Sequence, residues 1–476
     1  MQIMDKKTCF GVIIGTRGFF NSALAVNVRK KFLQQLERDG YDYVITPEDA
    51  TPNGAIESRD HAKICAEVFK RNADKIDGVV VVLPNFGDEL GIVQTLEMAN
   101  LDVPVLVQAC DDEVDKLSVR ERRDAFCGKL SVCNNLYQYG IPFTNTSTHT
   151  CAIDSQVFAD DLDFFARVCR VVKGLRQARI GAIGARPAAF QTVRFSEKIL
   201  QTTGITVVPV DLSEIIFGAQ ALADSDPDVI EKLREVHSYG YIPDYIPPAN
   251  IMKQAKLSVT IDRWMAENEC VASAVECWDS IQKNYGCATC LSMAMMGDRL
   301  LPSACEVDVV GAVSMYTLLL ASGNPPSFQD WNNNYGEDRD KCINTHCSNF
   351  PKSFMGHEVE VSNLDILGAT LGEDRCFGAI KGQAAPGPVT FFRMSTDDPL
   401  GIIKAYLGEG QMTDDPVGNF QGGSAVLQIP GLQNLLDYMC KNGYEHHVAV
   451  TRDLVADVIY EALTTYLGWE VYYHNQ

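Results

Sequence analysis

Three short segments combine residue types able to hold a hard divalent cation: Cys305-Glu306-Val307-Asp308, Asp330-Trp331-Asn332-Asn333-Asn334 and Glu445-His446-His447. Each borders an apolar run, where a chain turns or caps a helix, and together they offer two or three carboxylates and one or two imidazoles. Oxygen donors with an imidazole suit an octahedral divalent cation that keeps room for a substrate.

Glu306 stands at the head of the apolar segment Val309 to Leu320. A first-turn carboxylate answering the helix dipole needs no ligand, so the alternative to a metal ligand is an ordinary cap. Asp308 is two residues on, and such pairs diverge on a helix; Glu306 is therefore the better ligand and Asp308 a supporting partner. Asp330 precedes Trp331, Asn332 and Asn333, a run that reads either as an Asx-rich turn or as a polyol pocket. In a polyol pocket the ring covers a sugar face and the amides pair with hydroxyls. His446 and His447 precede the strand-like Val448 to Val450, where neighbouring side chains alternate, so one of the pair aims at a given metal. His346 follows Asp330 in the segment 344–349. Cys287-Ala288-Thr289-Cys290 is a lone CxxC and a weak zinc signal. Gly181-Ala182-Ile183-Gly184 lacks the full dinucleotide pattern.

These segments need a frame to bring them together. Near-continuous Val/Ile/Leu runs alternate with amphipathic stretches through the first two thirds: strands at Thr8–Gly15, Tyr43–Thr46, Gly78–Leu83, Val103–Gln108, Arg179–Ile183 and Ile205–Val210, with helical patterns between. That alternation predicts parallel sheets covered on both faces, with ligands at the strands' carboxyl ends. From about Phe328 the chain turns rich in Gly, Pro and Asn, with strand-like pieces at Val389–Met394 and Ala425–Ile429 and a closing helix over Asp453–Tyr466. The expected architecture is α/β: two Rossmann-like parallel-sheet domains, 1–175 and 176–327, the second carrying Glu306. A mainly β, barrel-like domain, 328–476, follows and carries His346 and His446/His447.

A chain of 476 residues divides into several cores. The formal net charge of −21 argues against nucleic acid and anionic membrane as partners and favours a neutral or metal-bridged small molecule. No apolar stretch reaches the length of a membrane helix, and no basic-then-apolar leader opens the sequence. The sixteen cysteines are scattered, many of them inside amphipathic patterns, which reads as reduced thiols in a cytoplasmic protein.

Taken in order and spacing, the Cys-Glu-Val-Asp head of an apolar helix, Asp-Trp-Asn-Asn-Asn, and a late His-His before a strand resemble the L-fucose/L-arabinose isomerase superfamily. The resemblance covers nearly the whole chain and is that of a divergent member. It implies Mn²⁺, or another divalent cation such as Co²⁺ or Mg²⁺, held by Glu306, Asp330 and His447, with His446 the fallback and His346 matching an extra histidine of the arabinose branch. It implies that Glu306 and Asp330 transfer the proton. It further implies a homo-oligomer, a hexamer in the family, in which Arg17 reaches a neighbouring subunit's site.

The expected reaction is aldose–ketose isomerisation of an open-chain sugar through a cis-enediol. The sugar is a deoxy, common or sulfonated one of the sulfoquinovose kind, and Arg17, Arg186 and Arg393 are candidates for pairing an anionic group. The alternatives are a non-catalytic sugar-binding or regulatory module, which tandem α/β domains also build, and a metal-dependent aldolase or epimerase.

Overall fold

The computed structural model describes residues 6–347, 349–418 and 422–475. The first five residues, where the sequence shows no basic-then-apolar leader, lie outside the described residues. Two compact units are present: one holds residues 2–174 and 461–468, the other 175–460 and 469–476.

The smaller unit is a five-stranded parallel sheet of β1 (Cys9–Ile14), β2 (Asp42–Ile45), β3 (Gly78–Leu83), β4 (Val105–Ala109) and β5 (Thr144–Asn145), ordered β2-β1-β3-β4-β5. Its central strands are buried along their whole length because helices cover both faces, which is why they read as unbroken apolar runs. Ser58 and Asp88 start two of those helices by accepting from the backbone N–H groups of His61 and Gly91.

The larger unit contains a second parallel sheet of β6 (Arg179–Ile183), β7 (Thr206–Val210), β8 (Ala272–Val275) and β9 (Ser303–Cys305), ordered β7-β6-β8-β9. It also contains β10 (Ser327–Tyr335), β11 (Asp338–His346), β12 (Glu360–Asn363), β13 (Phe377–Gln383), β14 (Gly387–Asp397), β15 (Ile402–Thr413), β16 (Gly423–Gln428), β17 (His447–Thr451) and β18 (Glu470–His474). Antiparallel pairing runs β16-β11-β10-β17-β14-β15, and β15 pairs back to β16, so six strands close into a barrel. Closure leaves none of the six as a free edge. β13 and β18 pair in parallel beside β16 and β15, and β12 pairs with β13.

The helix Val309–Ser322 joins these layers. All but its last residue are buried, as expected of a helix apolar on every face. It packs on β6, β8 and β9 on one side and on β10, β14 and β17 on the other. Close approach to β10 depends on Gly311, where a Cβ would collide with the Phe328 ring. The helix therefore places its own first residues where the end of β9 meets the barrel.

Of the two readings of Asp330 to Asn334, the Asx-rich turn falls: the run is part of β10, because Asp330 pairs across to Thr345 and His447. The expected closing helix is shorter: Ala456–Glu461 is α-helical and Ala462–Tyr466 widens to a π-turn. The stretch from Glu461 belongs to the smaller unit, where the Tyr466 hydroxyl lies 2.7 Å from Thr144 Oγ1 and donates to the Val105 carbonyl at 3.2 Å. No helix among the described residues is long and apolar enough to cross a membrane.

Candidate active site

Glu306 owes its position to backbone strain. Between β9 and the helix Val309–Ser322, Glu306 and Val307 both adopt the left-handed region, with φ of 60° and 55°. For a β-branched residue this is a genuine outlier, and each such residue costs about 1–3 kcal/mol. The two-residue turn aims the Glu306 carboxylate at the barrel. Asp308, not Glu306, caps the helix, its Oδ1 accepting from Gly311 N at 2.8 Å.

The barrel supplies the rest. Asp330 on β10 and His447 on β17 are directly paired across the two strands, so their side chains share a face. His447 Nε2 lies 3.1 Å from Glu306 Oε2 and 3.5 Å from Asp330 Oδ1. Neither approach is aligned as a hydrogen bond, and all three atoms are buried without a hydrogen-bond partner. Three buried donor atoms converging without satisfying one another are what a cation site looks like before the ion is considered. The donor set, two carboxylate oxygens and an imidazole, fits a hard divalent ion.

The other ring nitrogen fixes the tautomer. His447 Nδ1 lies 2.7 Å from Asp308 Oδ2; with the proton on Nδ1, the Nε2 lone pair faces Glu306 and Asp330. Asp308 in turn takes a forked pair from Arg393, at 2.6 and 3.1 Å, and Arg393 Nε donates to Glu445 Oε2 at 3.2 Å. Ser395 Oγ donates to Glu445 Oε1 at 2.7 Å. Arg393 is fully buried, so it is a structural cation holding two carboxylates and not a candidate for a substrate anion. Burial would raise the Asp308 pKa, but Arg393 and His447 hold it well below the usual carboxylate range. Burial pulls His447 down, yet the Asp308 and Glu306 carboxylates push it up to about 10.

Both late histidines approach the cluster. His446 lies before β17 begins, so strand alternation does not turn it away; its Nε2 is 3.7 Å from Asp330 Oδ1. Ligand atoms of Glu306, His446 and His447 lie within 4.8 Å of one another, as do those of Asp330, His346 and His447. Burial and the neighbouring His447 lower the His446 pKa. His346 ends β11, buried against Phe328; burial lowers its pKa, but Cys347 and Asp330 raise it to about 9.

The remaining predicted residues lie as follows. Trp331 turns toward the barrel core, its Nε1 donating to the Tyr406 hydroxyl at 2.9 Å and its ring edge-on to Phe391. Asn332 Oδ1 accepts from Thr345 N at 2.6 Å, a bulge contact within the barrel, and Asn333 is exposed. Arg17 sits in the smaller unit, its Nε donating to the Gly87 carbonyl at 2.9 Å, ion-paired to Glu89 and over the Phe86 ring. Beside Gly184 the Glu276 carboxylate accepts from Ala185 N at 2.9 Å, placing negative charge where a nucleotide phosphate would have to sit. A cavity of about 850 Å³ adjoins the cluster through Val307 and Glu445 and is also lined by Arg186, Gln191, Arg194 and Ser395. That is ample for an open-chain hexose. Sequence reasoning left Glu445 and Ser395 without a role; the signal was a carboxylate next to a histidine pair, with a lone Arg393 inside an apolar strand to neutralise it.

Two domain descriptions match the chain: the fucose/sulfoquinovose isomerase N-terminal domain over residues 11–176 and the L-fucose isomerase C-terminal domain over 344–475. Similar proteins include a sulfoquinovose isomerase of Priestia aryabhattai, 25% identical over 96% of this chain and 97% of its own length. Another, from Clostridium sp. (strain MSTE9), is 27% identical over 62% of this chain and 64% of its own length. A third, from Alkalicoccus urumqiensis, is 24% identical over 69% and 70%. With both terminal domains matched and relatives aligned along nearly its full length, the chain belongs to the L-fucose isomerase-like superfamily.

Proposed function

We propose that this protein is a divalent-cation-dependent aldose–ketose isomerase of an open-chain sulfonated hexose, working through a cis-enediol. The convergence of Glu306 Oε2, Asp330 Oδ1 and His447 Nε2, buried and mutually unsatisfied, carries the reading. Those three residues would hold the cation, Mn²⁺ by resemblance, with His346 or His446 completing the set. When bound, the ion supplies Lewis-acid polarisation of the sugar carbonyl.

The chain's own residues do the rest. Glu306 and Asp330 flank one face, and one of them takes the C2 proton while the same or the other carboxyl returns a proton to C1. Asp308 keeps the His447 ring turned, and Arg393 keeps Asp308 ionised, so the acceptor lone pairs stay aimed at one point. The adjoining cavity, reached beside Val307 and Glu445, would take the rest of the sugar, and Arg186 and Arg194 on its lining would offer guanidinium forks to an oxyanion at the sugar's far end. The relatives are named as sulfoquinovose isomerases, which supports the sulfonated substrate. The matched domains and relatives are all isomerases, so the binding-module and aldolase alternatives have no support. By the same resemblance the chain would assemble as a homo-oligomer, with Arg17 completing a neighbour's site.

A panel of aldoses and ketoses, sulfonated and not, incubated with the Mn²⁺-loaded protein in heavy water and followed by NMR, tests the reading. Interconversion of a sulfonated pair with deuterium entering at C1 or C2 is the expected result. Turnover of neutral sugars alone would remove the sulfonate assignment, and retention of the substrate hydrogen would replace the enediol by a hydride shift.

Cation loading should also be proton-linked. Without the ion, the Asp308 and Glu306 carboxylates raise the His447 pKa to about 10, and a ligating imidazole must be neutral. Loading at pH 7 therefore expels a proton and weakens as the pH falls. Titration calorimetry in two buffers of different ionisation heat should give about one proton released per ion with His446 completing the set, and about two with His346, whose pKa is raised to about 9.

A further inference from the structure

Isomerisation leaves unused a second set of ligand-type atoms behind the carboxylate–imidazole cluster. Cys305 immediately precedes Glu306, and Cys347 immediately follows His346. In both pairs one residue is a ligand candidate of the oxygen–nitrogen cluster and its neighbour is a thiol. The two thiols meet on the far side of the His346 ring: Cys347 Sγ is 3.4 Å and Cys305 Sγ 3.8 Å from Nδ1. Cys290, the first residue of the helix Cys290–Asp298, brings a further thiol 3.9 Å from Cys347 Sγ. The lone CxxC thus divides, Cys290 joining this cluster and Cys287 lying apart in the core.

Tetrahedral zinc with bonds of about 2.3 Å to sulfur and about 2.0 Å to nitrogen has sulfur–sulfur edges of about 3.8 Å and sulfur–nitrogen edges of about 3.6 Å. The three separations given above, 3.4, 3.8 and 3.9 Å, are close to such edges. Ligand atoms of Cys305, His346 and Cys347 lie within 4.8 Å of one another. Asn349 Nδ2 donates to Cys305 Sγ at 3.6 Å, the outer support a metal-bound thiolate receives. Apolar packing of buried thiols would not require an imidazole nitrogen directed between two sulfurs.

We propose that Cys305, Cys347 and His346 Nδ1 form a second metal site, for a thiophilic divalent ion such as Zn²⁺, with Cys290 packed beside Cys347 outside the ligand set. Cys347 is only half-buried and gives the route in; Cys290 and Cys305 are buried. An ion held there fixes the His346 ring beside Asp330 and His447. The assignment does not need the isomerase reading; the two sites share His346 as a candidate ligand.

The test uses the full chain, stripped of metal, given Mn²⁺ and then titrated with Co²⁺. Thiolate-to-cobalt charge-transfer absorption at one equivalent is expected in the wild type and in Glu306→Gln, which keeps the thiols. It should vanish in Cys347→Ser and Cys347→Ala and persist in Cys440→Ser, an exposed cysteine elsewhere. A wild type without that absorption, or an unchanged band in a folded Cys347 variant, overturns the proposal. Should the Cys347 variants not fold, zinc release from the wild type in step with thiol blocking by an organomercurial supports it, and release independent of blocking overturns it.

Discussion

Glu306→Gln should abolish isomerisation while leaving the fold in place. The substitution preserves shape but removes a charge from the cation's donor set and the basicity needed for proton transfer. Loss of acid–base function alone typically costs about 10²- to 10⁴-fold, and weakened cation binding adds to it. The fold should survive because the amide keeps the size of the carboxylate beside His447, and the strained turn depends on backbone φ rather than on the carboxylate. Initial rates at saturating Mn²⁺, with circular dichroism as the control for folding, give the answer. Retention of most of the activity would remove Glu306 from the mechanism.

The second large effect is on stability. Arg393→Met keeps the bulk of the side chain but strands Asp308 and Glu445, two carboxylates buried with almost no access to water. Removing one partner of a buried pair costs about 3–5 kcal/mol because the other charge is left uncompensated. The sign with pH follows. In the wild type the Asp308 pKa is depressed by Arg393 and His447, so its stabilisation is complete above about pH 4, the unfolded value, and is lost as the pH falls through the lower folded value. Without Arg393 the native Asp308 pKa rises, and protonation relieves the penalty. Calorimetric melting should therefore show a deficit that is largest near pH 7 and shrinks toward pH 4. A variant melting with the wild type at pH 7 would show that the guanidinium does not hold this part of the barrel together.

Legibility in the sequence followed burial. β3 and β6 were readable to the residue because a parallel strand covered on both faces admits little but Val, Ile, Leu, Ala and Gly. The Asp330 region was harder. Three consecutive asparagines favour a turn in isolation, and only pairing with Thr345 and His447 overrides that local preference. The helix start at residues 306–308 was legible in kind but not in detail. Glu and Asp both suit a helix start, and nothing in Glu306-Val307 announces two left-handed residues. Strand alternation does not part His446 from His447, because β17 begins only at His447. Arg393 was misjudged as a substrate partner because its two carboxylates come from segments far away in sequence, Asp308 and Glu445.

The barrel ring bears on the order of events as the chain folds. Its closure joins strands spread from β10 to β17, and Asp330 meets His447 only when that long loop has been brought together. Closing a loop of that length costs entropy before any contact repays it, so pairings of wide sequence separation slow folding. A cation that binds only the closed ring would stabilise the native state over the open chain, a clasp on the finished barrel.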